Sequence, residues 1–306
     1  MTKAIITGAP GFVGSHVYHT LASKGVDVLA VIRSNSSYLK NTDQSPNHLN
    51  YIVFDWESGL DFKEALQNAG WDPGDDCVFY HFAWEGTGNL TGGDLSVQMK
   101  NVHLSTEAIR HAKEAGCTKF INAGTYEETL LEGYFAGVHD GNGVDLSSVA
   151  ANYVIAKIAN RNMCFLKAYL EKIDYIHTRF SVPLSADGKN EKFIEKQIMN
   201  IRNNQSVITP GNKNALNFIH IKDLANAYYE LGKTGQNQKD YFIRTDLFAS
   251  IGELFNYLQQ YKQDNTANMS AGLPYQFSAT DASVRHTDYI NDEYAILSHL
   301  KKIITN

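Results

Sequence analysis

Short apolar runs alternate with longer stretches whose apolar residues recur every three or four positions, and this alternation dominates the first 180 residues. Lys3–Thr7, Val26–Ile32, Tyr51–Phe54, Cys77–Phe82, Lys119–Asn122 and Asp174–Arg179 read as strands. Ser15–Ser23, with Val17 and Leu21 on one face, reads as a helix, as do Asp61–Ala69, Ser96–Ala115 and Ala150–Glu171. Strands alternating with helices predict a parallel sheet covered by helices on both faces. After Pro183 the pattern loosens. Phe193–Arg202, Lys222–Gly232, Ser250–Gln260 and Asp292–Lys301 read as helices, Ser206–Thr209, Phe218–Ile221 and Tyr241–Arg244 as extended, and Pro210–Leu216 as a polar loop. The expected fold class is α/β: a Rossmann-type doubly wound parallel sheet with a smaller, mixed C-terminal substrate-binding domain. The expected boundaries put 1–182 in the first domain with a returning segment at about 217–245, and leave 183–216 and 246–306 to the second.

Composition narrows the classes. The 306 residues are 43% hydrophobic and 20% charged, enough to bury a substantial core. A net charge of −6 argues against a general binder of nucleic-acid backbone, which needs a basic face. Cys77, Cys117 and Cys164 lie far apart, which suits a reducing compartment and neither zinc nor a disulfide framework. His16, His103, His111 and His286 have no ligand spacing and read as structural, so no metal is expected. No apolar run reaches membrane-helix length, and Met1–Gly8 leads straight into a strand, so a cytoplasmic protein with no membrane partner is expected.

Gly8, Gly11 and Gly14 stand between the first strand and the first helix. A glycine triplet alone is weak evidence, but in this context it predicts a dinucleotide pyrophosphate held at a helix N-terminus. Tyr153 and Lys157 are four apart on a predicted helix and share a face. Alone they would read as a surface pair. Downstream of a dinucleotide turn they become a candidate proton shuttle, in which a nearby ammonium makes a phenol easier to ionise.

The spacing G-x-x-G-x-x-G after Thr7 resembles the extended short-chain dehydrogenase/reductase family, in its nucleotide-sugar epimerase/dehydratase branch. Asp55 resembles that family's adenine-binding acid, His81-Phe82-Ala83 its strand end under the cofactor, and Asn101 its active-site helix asparagine. Tyr153-Val154-Ile155-Ala156-Lys157 matches its Y-x-x-x-K signature, and Asn217–Ala225 its R-D-F-I-H-V-x-D-V/L-A segment. The resemblance covers roughly residues 3–230. It implies cofactor contacts from Thr7, Gly8, Gly11, Phe12, Val13, Gly14, Asp55, Trp56, Phe82, Ala83, Asn101, Tyr153, Lys157 and Val182. It also implies that Thr125 orients the reacting oxygen and that Ser96–Ala115 and Ala150–Glu171 pair in a homodimer.

Two positions bear on specificity. The second strand ends Ile32-Arg33-Ser34 with no acid, which suits a 2′-phosphate, so NADP(H) is expected, with NAD(H) as the alternative. Glu127, two after Thr125, occupies the place of the proton-abstracting glutamate of the resembling 4,6-dehydratases, although Tyr126 breaks their threonine-acid-glutamate run. As a bare sequence, Glu127-Glu128 reads equally well as a solvated loop. Arg179–Pro183 resembles a stretch in which the main chain near Val182 meets the nicotinamide, with Ser181 in place of the usual asparagine. Lys189, Lys192, Lys196 and Arg202 are candidates for a substrate diphosphate or a solvated face. The expected activity is an NADP(H)-dependent oxidoreductase acting on a nucleotide-diphosphate sugar, most simply a 4-ketosugar reductase. An epimerase or 4,6-dehydratase is the near alternative, and a cofactor-sensing regulatory protein the distant one.

Overall fold

A computed structural model describes residues 1–40, 49–86, 94–135, 151–185, 193–210, 216–245 and 248–264. The strands are β1 (Lys3–Thr7), β2 (Asp27–Ile32), β3 (Tyr51–Val53), β4 (Val78–His81), β5 (Lys119–Ala123), β6 (Asp174–Phe180), β7 (Val182–Leu184), β8 (Leu216–His220), β9 (Lys239–Ile243) and β10 (Phe248–Ala249). The helices are α1 (Phe12–Ser23), α2 (Phe62–Asn68), α3 (Leu95–Glu114), α4 (Glu127–Phe135), α5 (Ala151–Glu171), α6 (Phe193–Arg202), α7 (Ile221–Thr234) and α8 (Ile251–Asp264). The chain divides into two compact units, Met1–Arg179 with Ala225–Tyr241, and Phe180–Leu224 with the chain from Phe242 onward.

The first unit is built on a seven-stranded sheet in the order β3-β2-β1-β4-β5-β6-β9, a Rossmann-like arrangement. β1 pairs in parallel with both β2 and β4. The winding direction therefore reverses at β1, and the crevice beyond the carboxyl ends of β1 and β4 is where such sheets bind ligands. The strands are apolar on both faces because helices cover both. Ile5, Leu29, Phe79 and Phe120 are fully buried with Phe62 of α2 and Ile109 of α3. Phe79 and Phe120 stack at 5.1 Å across adjacent strands. Each such side chain contributes roughly 1.5–3 kcal/mol on burial. Asp61 caps α2 through the Glu64 amide at 3.1 Å, and α3 packs along α5.

The second unit carries a three-stranded sheet, β10-β8-β7, antiparallel on one side of β8 and parallel on the other. Its core joins Leu184, Ile198 and Phe218 to Leu254, Phe255 and Leu258. β8 pairs here, so the segment returning to the first unit is Ala225–Tyr241, shorter than the 217–245 expected from sequence. Ser206–Thr209 forms no strand, whereas β7, too short and proline-bearing to show a period, does. The expected helix Asp292–Lys301, His286, Lys189 and Lys192 fall outside the described residues. Among the described residues no helix is long and apolar enough to cross a membrane, and no three metal-ligating side chains converge.

Candidate active site

The glycine turn leaves β1 and enters α1. Gly8 adopts φ +72°, a conformation that a side chain resists, and its carbonyl accepts the Gly11 N–H at 2.9 Å. A Cβ at Gly8 would press on the Phe82–Ala83 main chain at 2.7 Å, and one at Gly14 would collide with the Gly8 carbonyl. Gly11 is the N-cap of α1 and offers no side chain to the first-turn amides. The first-turn amides and the positive end of the helix dipole, which include Phe12, Val13 and Gly14, thus fit a pyrophosphate.

From the same turn a hydrogen-bonded chain runs under the crevice. The Ala83 N–H donates to Thr7 Oγ1 at 3.4 Å, and Thr7 Oγ1 lies 2.8 Å from His81 Nδ1. His81 Nε2 lies 3.0 Å from Ser105, whose hydroxyl donates to the Asn101 carbonyl at 2.8 Å. Burial, with the Lys157 charge, takes His81 down to about 3, so the ring is a neutral strut. The Asn101 amide in turn clamps the Glu85 main chain at both N–H (2.8 Å) and C=O (3.0 Å). The loop after β4 is thereby fixed from two sides, by Thr7 and by Asn101.

Thr125, Glu127 and Tyr153 meet at the end of β5. The Glu127 N–H reaches Thr125 Oγ1 at 3.4 Å, and Thr125 lies close enough to the Tyr153 phenol to favour its ionised form. Glu127 and Glu128 do not lie in a solvated loop. They open α4, Glu128 is fully buried, and Glu127 Oε2 is buried with no hydrogen-bond partner among the described residues. Burial raises the Glu127 carboxyl above its ordinary range. Tyr153 is pushed well up, by burial first and then by the charges of Glu127 and Glu128, while Thr125 pulls it partly back. Lys157 sits one turn along α5, but its Nζ donates to the Ala123 carbonyl at 2.8 Å and stands 3.7 Å over the Trp84 ring. It is 5.8 Å from the centre of the Tyr153 ring. The direct easing of Tyr153 ionisation by Lys157, expected from their spacing, is not the arrangement found, because burial and two carboxylates outweigh an ammonium turned to the sheet.

The model of the NAD dependent epimerase/dehydratase family matches residues 4–243. The chain belongs to this family. It is an enzyme of the NAD(P)-dependent short-chain dehydrogenase/reductase type. It is similar to the CDP-abequose synthase of Salmonella muenchen, with 24% identity over 81% of this chain and 76% of that protein. It is also similar to the dTDP-D-glucose 4,6-dehydratase of Mus musculus, with 25% identity over 86% and 74%. The fold matches a UDP-N-acetylglucosamine 4-epimerase from Bacillus cereus, with TM-score 0.65, 14% identity, and 99% of this chain and 96% of that one covered. It matches equally a UDP-glucose 4-epimerase from Thermotoga maritima, with TM-score 0.63, 17% identity, and 85% and 83% covered.

Other positions named from sequence fall as follows in this family member. Arg33 Nη1 pairs with Glu85 Oε2 at 2.7 Å, joining the ends of the two strands that flank β1. The Ser34 N–H donates to Asp55 at 3.2 Å. The Trp56 indole packs on Phe54 and Phe62 and stacks with His111 at 5.3 Å, so it belongs to the core and leaves only its main chain for a ligand. Phe82 packs edge-on to Tyr228. Val182 opens β7 in the second unit. Sequence reasoning passed over Trp84, whose indole N–H is held by Gln98 at 2.8 Å and whose ring meets both Lys157 and Tyr153. The available signal was its position directly after His81-Phe82-Ala83.

Proposed function

We propose that this enzyme is an NADP(H)-dependent reductase of a nucleotide-diphosphate 4-ketosugar. The observation that carries the reading is Tyr153 grouped with Thr125 and Glu127 at the end of β5, where burial first and then the Glu127 and Glu128 carboxylates raise the phenol and so disfavour its phenolate. A reduction consumes a proton at the carbonyl oxygen, whereas a reaction that starts by oxidising a hydroxyl needs the phenolate. The names of the relatives, which span CDP-, dTDP- and UDP-linked sugars, support the substrate class. Bound dinucleotide supplies the hydride to the carbonyl carbon. Tyr153 would donate its proton to the oxygen and Thr125 would orient that oxygen, while Lys157, on leaving the Ala123 carbonyl, would hold the cofactor ribose and the glycine turn its phosphates.

Glu127 favours a second reading. The Glu127 carboxyl, whose Oε2 is buried with no hydrogen-bond partner among the described residues, is placed to take a carbon-bound proton, as a 4,6-dehydratase requires. The two readings part in one assay, in which CDP-, dTDP- and UDP-linked 4-ketohexoses are mixed with NADPH and nicotinamide absorbance is followed. Stoichiometric NADPH loss, with Glu127→Gln keeping most of its rate, is the reductase result. Product without net NADPH loss, or solvent deuterium on a sugar carbon, overturns it in favour of the dehydratase or epimerase.

NADP(H) preference rests on Arg33 and Ser34 at the end of β2. Arg33 has Glu85 as its present partner, and a 2′-phosphate competes for the same guanidinium. Losing one charge-assisted contact of this kind weakens binding about tenfold. Calorimetry should therefore show Arg33→Ala weakening NADPH by about that factor and NADH little. Tighter NADH than NADPH binding in the parent enzyme refutes the assignment.

The homodimer is proposed on α3 and α5. Met99 on α3 is exposed, and α5 exposes Ile155, Met163, Leu166, Tyr169 and Leu170, most of them three or four residues apart along one stripe. A second copy of the same helix pair covers such a face by symmetry. Light scattering at micromolar concentration is expected to give twice the 34.1 kDa chain mass. A monomer there, or a dimer unaffected by Leu166→Glu, argues for another use of this face.

A further inference from the structure

Lys157 is enclosed, only 5% exposed, and two groups hold its ammonium. Nζ donates to the Ala123 carbonyl at the end of β5 at 2.8 Å, and it stands 3.7 Å from the centre of the Trp84 ring. At that distance the ammonium rests on the indole face, where the negative quadrupole of the ring attracts a cation. Trp84 lies in the loop after β4 and is not free to turn aside. Its indole N–H donates to Gln98 Oε1 at 2.8 Å, and Gln98 is fully buried on α3. Its ring meets the Tyr153 ring edge-on, with centres 6.0 Å apart. The main chain beyond it is clamped as well, because Asn101, one turn along α3 from Gln98, holds the Glu85 N–H and C=O at 2.8 and 3.0 Å.

This contact commits the Gln98 amide. An indole N–H can only donate, so it fixes Oε1 on Trp84 and turns Nε2 the other way. There Nε2 lies against Gly86, buried with no hydrogen-bond partner among the described residues. An unpaired buried donor costs stability, so Gln98 holds the indole at the expense of its own second contact. Trp84 is therefore a rigidly mounted aromatic face with an enclosed ammonium on it. Cation–π contacts are strongest where both groups are kept from water, as here.

We propose that Trp84 is a positioning residue that competes with the cofactor ribose for the Lys157 ammonium and so sets the affinity for the dinucleotide. The inference rests on Lys157 holding that ribose. A ligand that draws the ammonium off the Ala123 carbonyl also draws it off the indole, so its observed affinity falls by the share of Lys157 that the ring retains. The competition acts on NADPH and NADH alike, because the ribose next to the nicotinamide is the same in both.

Calorimetric titration with NADPH and with NADH, without ketosugar, tests it. Trp84→Leu keeps an apolar side chain over the ammonium and removes the ring face. It should tighten both dinucleotides about fivefold. Trp84→Phe, a weaker cation–π partner, should tighten both about twofold. In a Lys157→Met background the change at Trp84 should have no effect, because the group competed for is gone. A purely structural role would lower the melting temperature of both Trp84 variants and leave dinucleotide affinity where it was. Unchanged or weaker binding in folded Trp84→Leu overturns the proposal. Equal tightening with Lys157→Met in place also overturns it, since the indole would then be a simple obstruction. If Lys157→Met binds NADPH as tightly as the parent, the ribose-holding role of Lys157 fails and the proposal with it. If Lys157→Met binds weakly and Trp84→Leu does not tighten, the proposal alone fails. Where neither Trp84 variant folds, fluorine NMR of the parent labelled with 5-fluorotryptophan decides. The Trp84 signal, identified by its shift in Lys157→Met, should move the same way on saturation with NADPH, since both take the charge off the ring. A signal that stays in place with NADPH bound is equally fatal.

Discussion

Tyr153→Phe should lower turnover by about 10²–10⁴-fold, the span usual for removing a positioned proton donor. The ring stays where it is. It stands edge-on to Trp84 at 6.0 Å and at 89°, and that packing needs no hydroxyl. What goes is the phenol hydroxyl and its interaction with Thr125, worth at most about 1 kcal/mol of stability, a small loss for a domain of this size. The nicotinamide dinucleotide should bind nearly as before, because the glycine turn, Thr7 and the loop clamped by Asn101 are untouched. Steady-state rates with the ketohexose panel and a binding titration of NADPH separate the two effects. Near-normal turnover would move the proton donor elsewhere, and the protonation-prone Glu127 carboxyl would be the next candidate. Weakened dinucleotide binding would show that the phenol also holds the cofactor in place.

The dinucleotide-binding half is written in local signals. Buried parallel strands such as Asp27–Ile32 are nearly continuous apolar runs, and the glycines at 8, 11 and 14 are demanded by the backbone itself. Tyr153 and Lys157 are legible because a helix brings positions four apart to one face. Their electrostatics are not legible, since the direction in which Lys157 points depends on Ala123 and Trp84 in other elements. Glu128 is the clearest loss. In sequence it sits among Tyr126, Glu127, Thr129 and Glu132, a polar stretch that looks solvated. Its burial is made possible by His177 and Arg179 on a strand about fifty residues later and by a glycine whose missing side chain leaves the space. Compensation of that kind has no period and no spacing. The second unit is less legible for another reason: β7 and β10 are three and two residues long, below the length at which alternation can be seen.

Lys157→Met should abolish productive cofactor use and yet raise the melting temperature at neutral pH. The ammonium is enclosed, and burial takes it from 10.5 down to about 8. That depression corresponds to roughly 3 kcal/mol by which the folded state disfavours the charge. Methionine has a similar length and no charge, but it gives up the bond to the Ala123 carbonyl and the contact over the Trp84 ring, so the net gain is about 2 kcal/mol, or roughly 3–6 °C. The sign follows from proton binding. Below pH about 8 the lysine is charged in both states, and the full penalty for burying it is present. Between about 8 and 10.5 the unfolded chain binds the proton and the folded one does not, so the parent enzyme gains stability from this group as pH rises through that window. Above 10.5 the penalty is gone. The advantage of Lys157→Met should therefore be largest at pH 7 and should shrink by about 3 kcal/mol as pH approaches 10.5, leaving the variant slightly less stable there. Paired melting curves at pH 7 and pH 10 measure it, with NADPH titration and ketosugar turnover recorded on the same samples. A variant less stable than the parent at pH 7 would mean that Ala123 and Trp84 compensate the ammonium fully. A gap that stays constant with pH would mean that the lysine keeps its charge across the window, in which case its lowered affinity for the proton could not be part of how this site works.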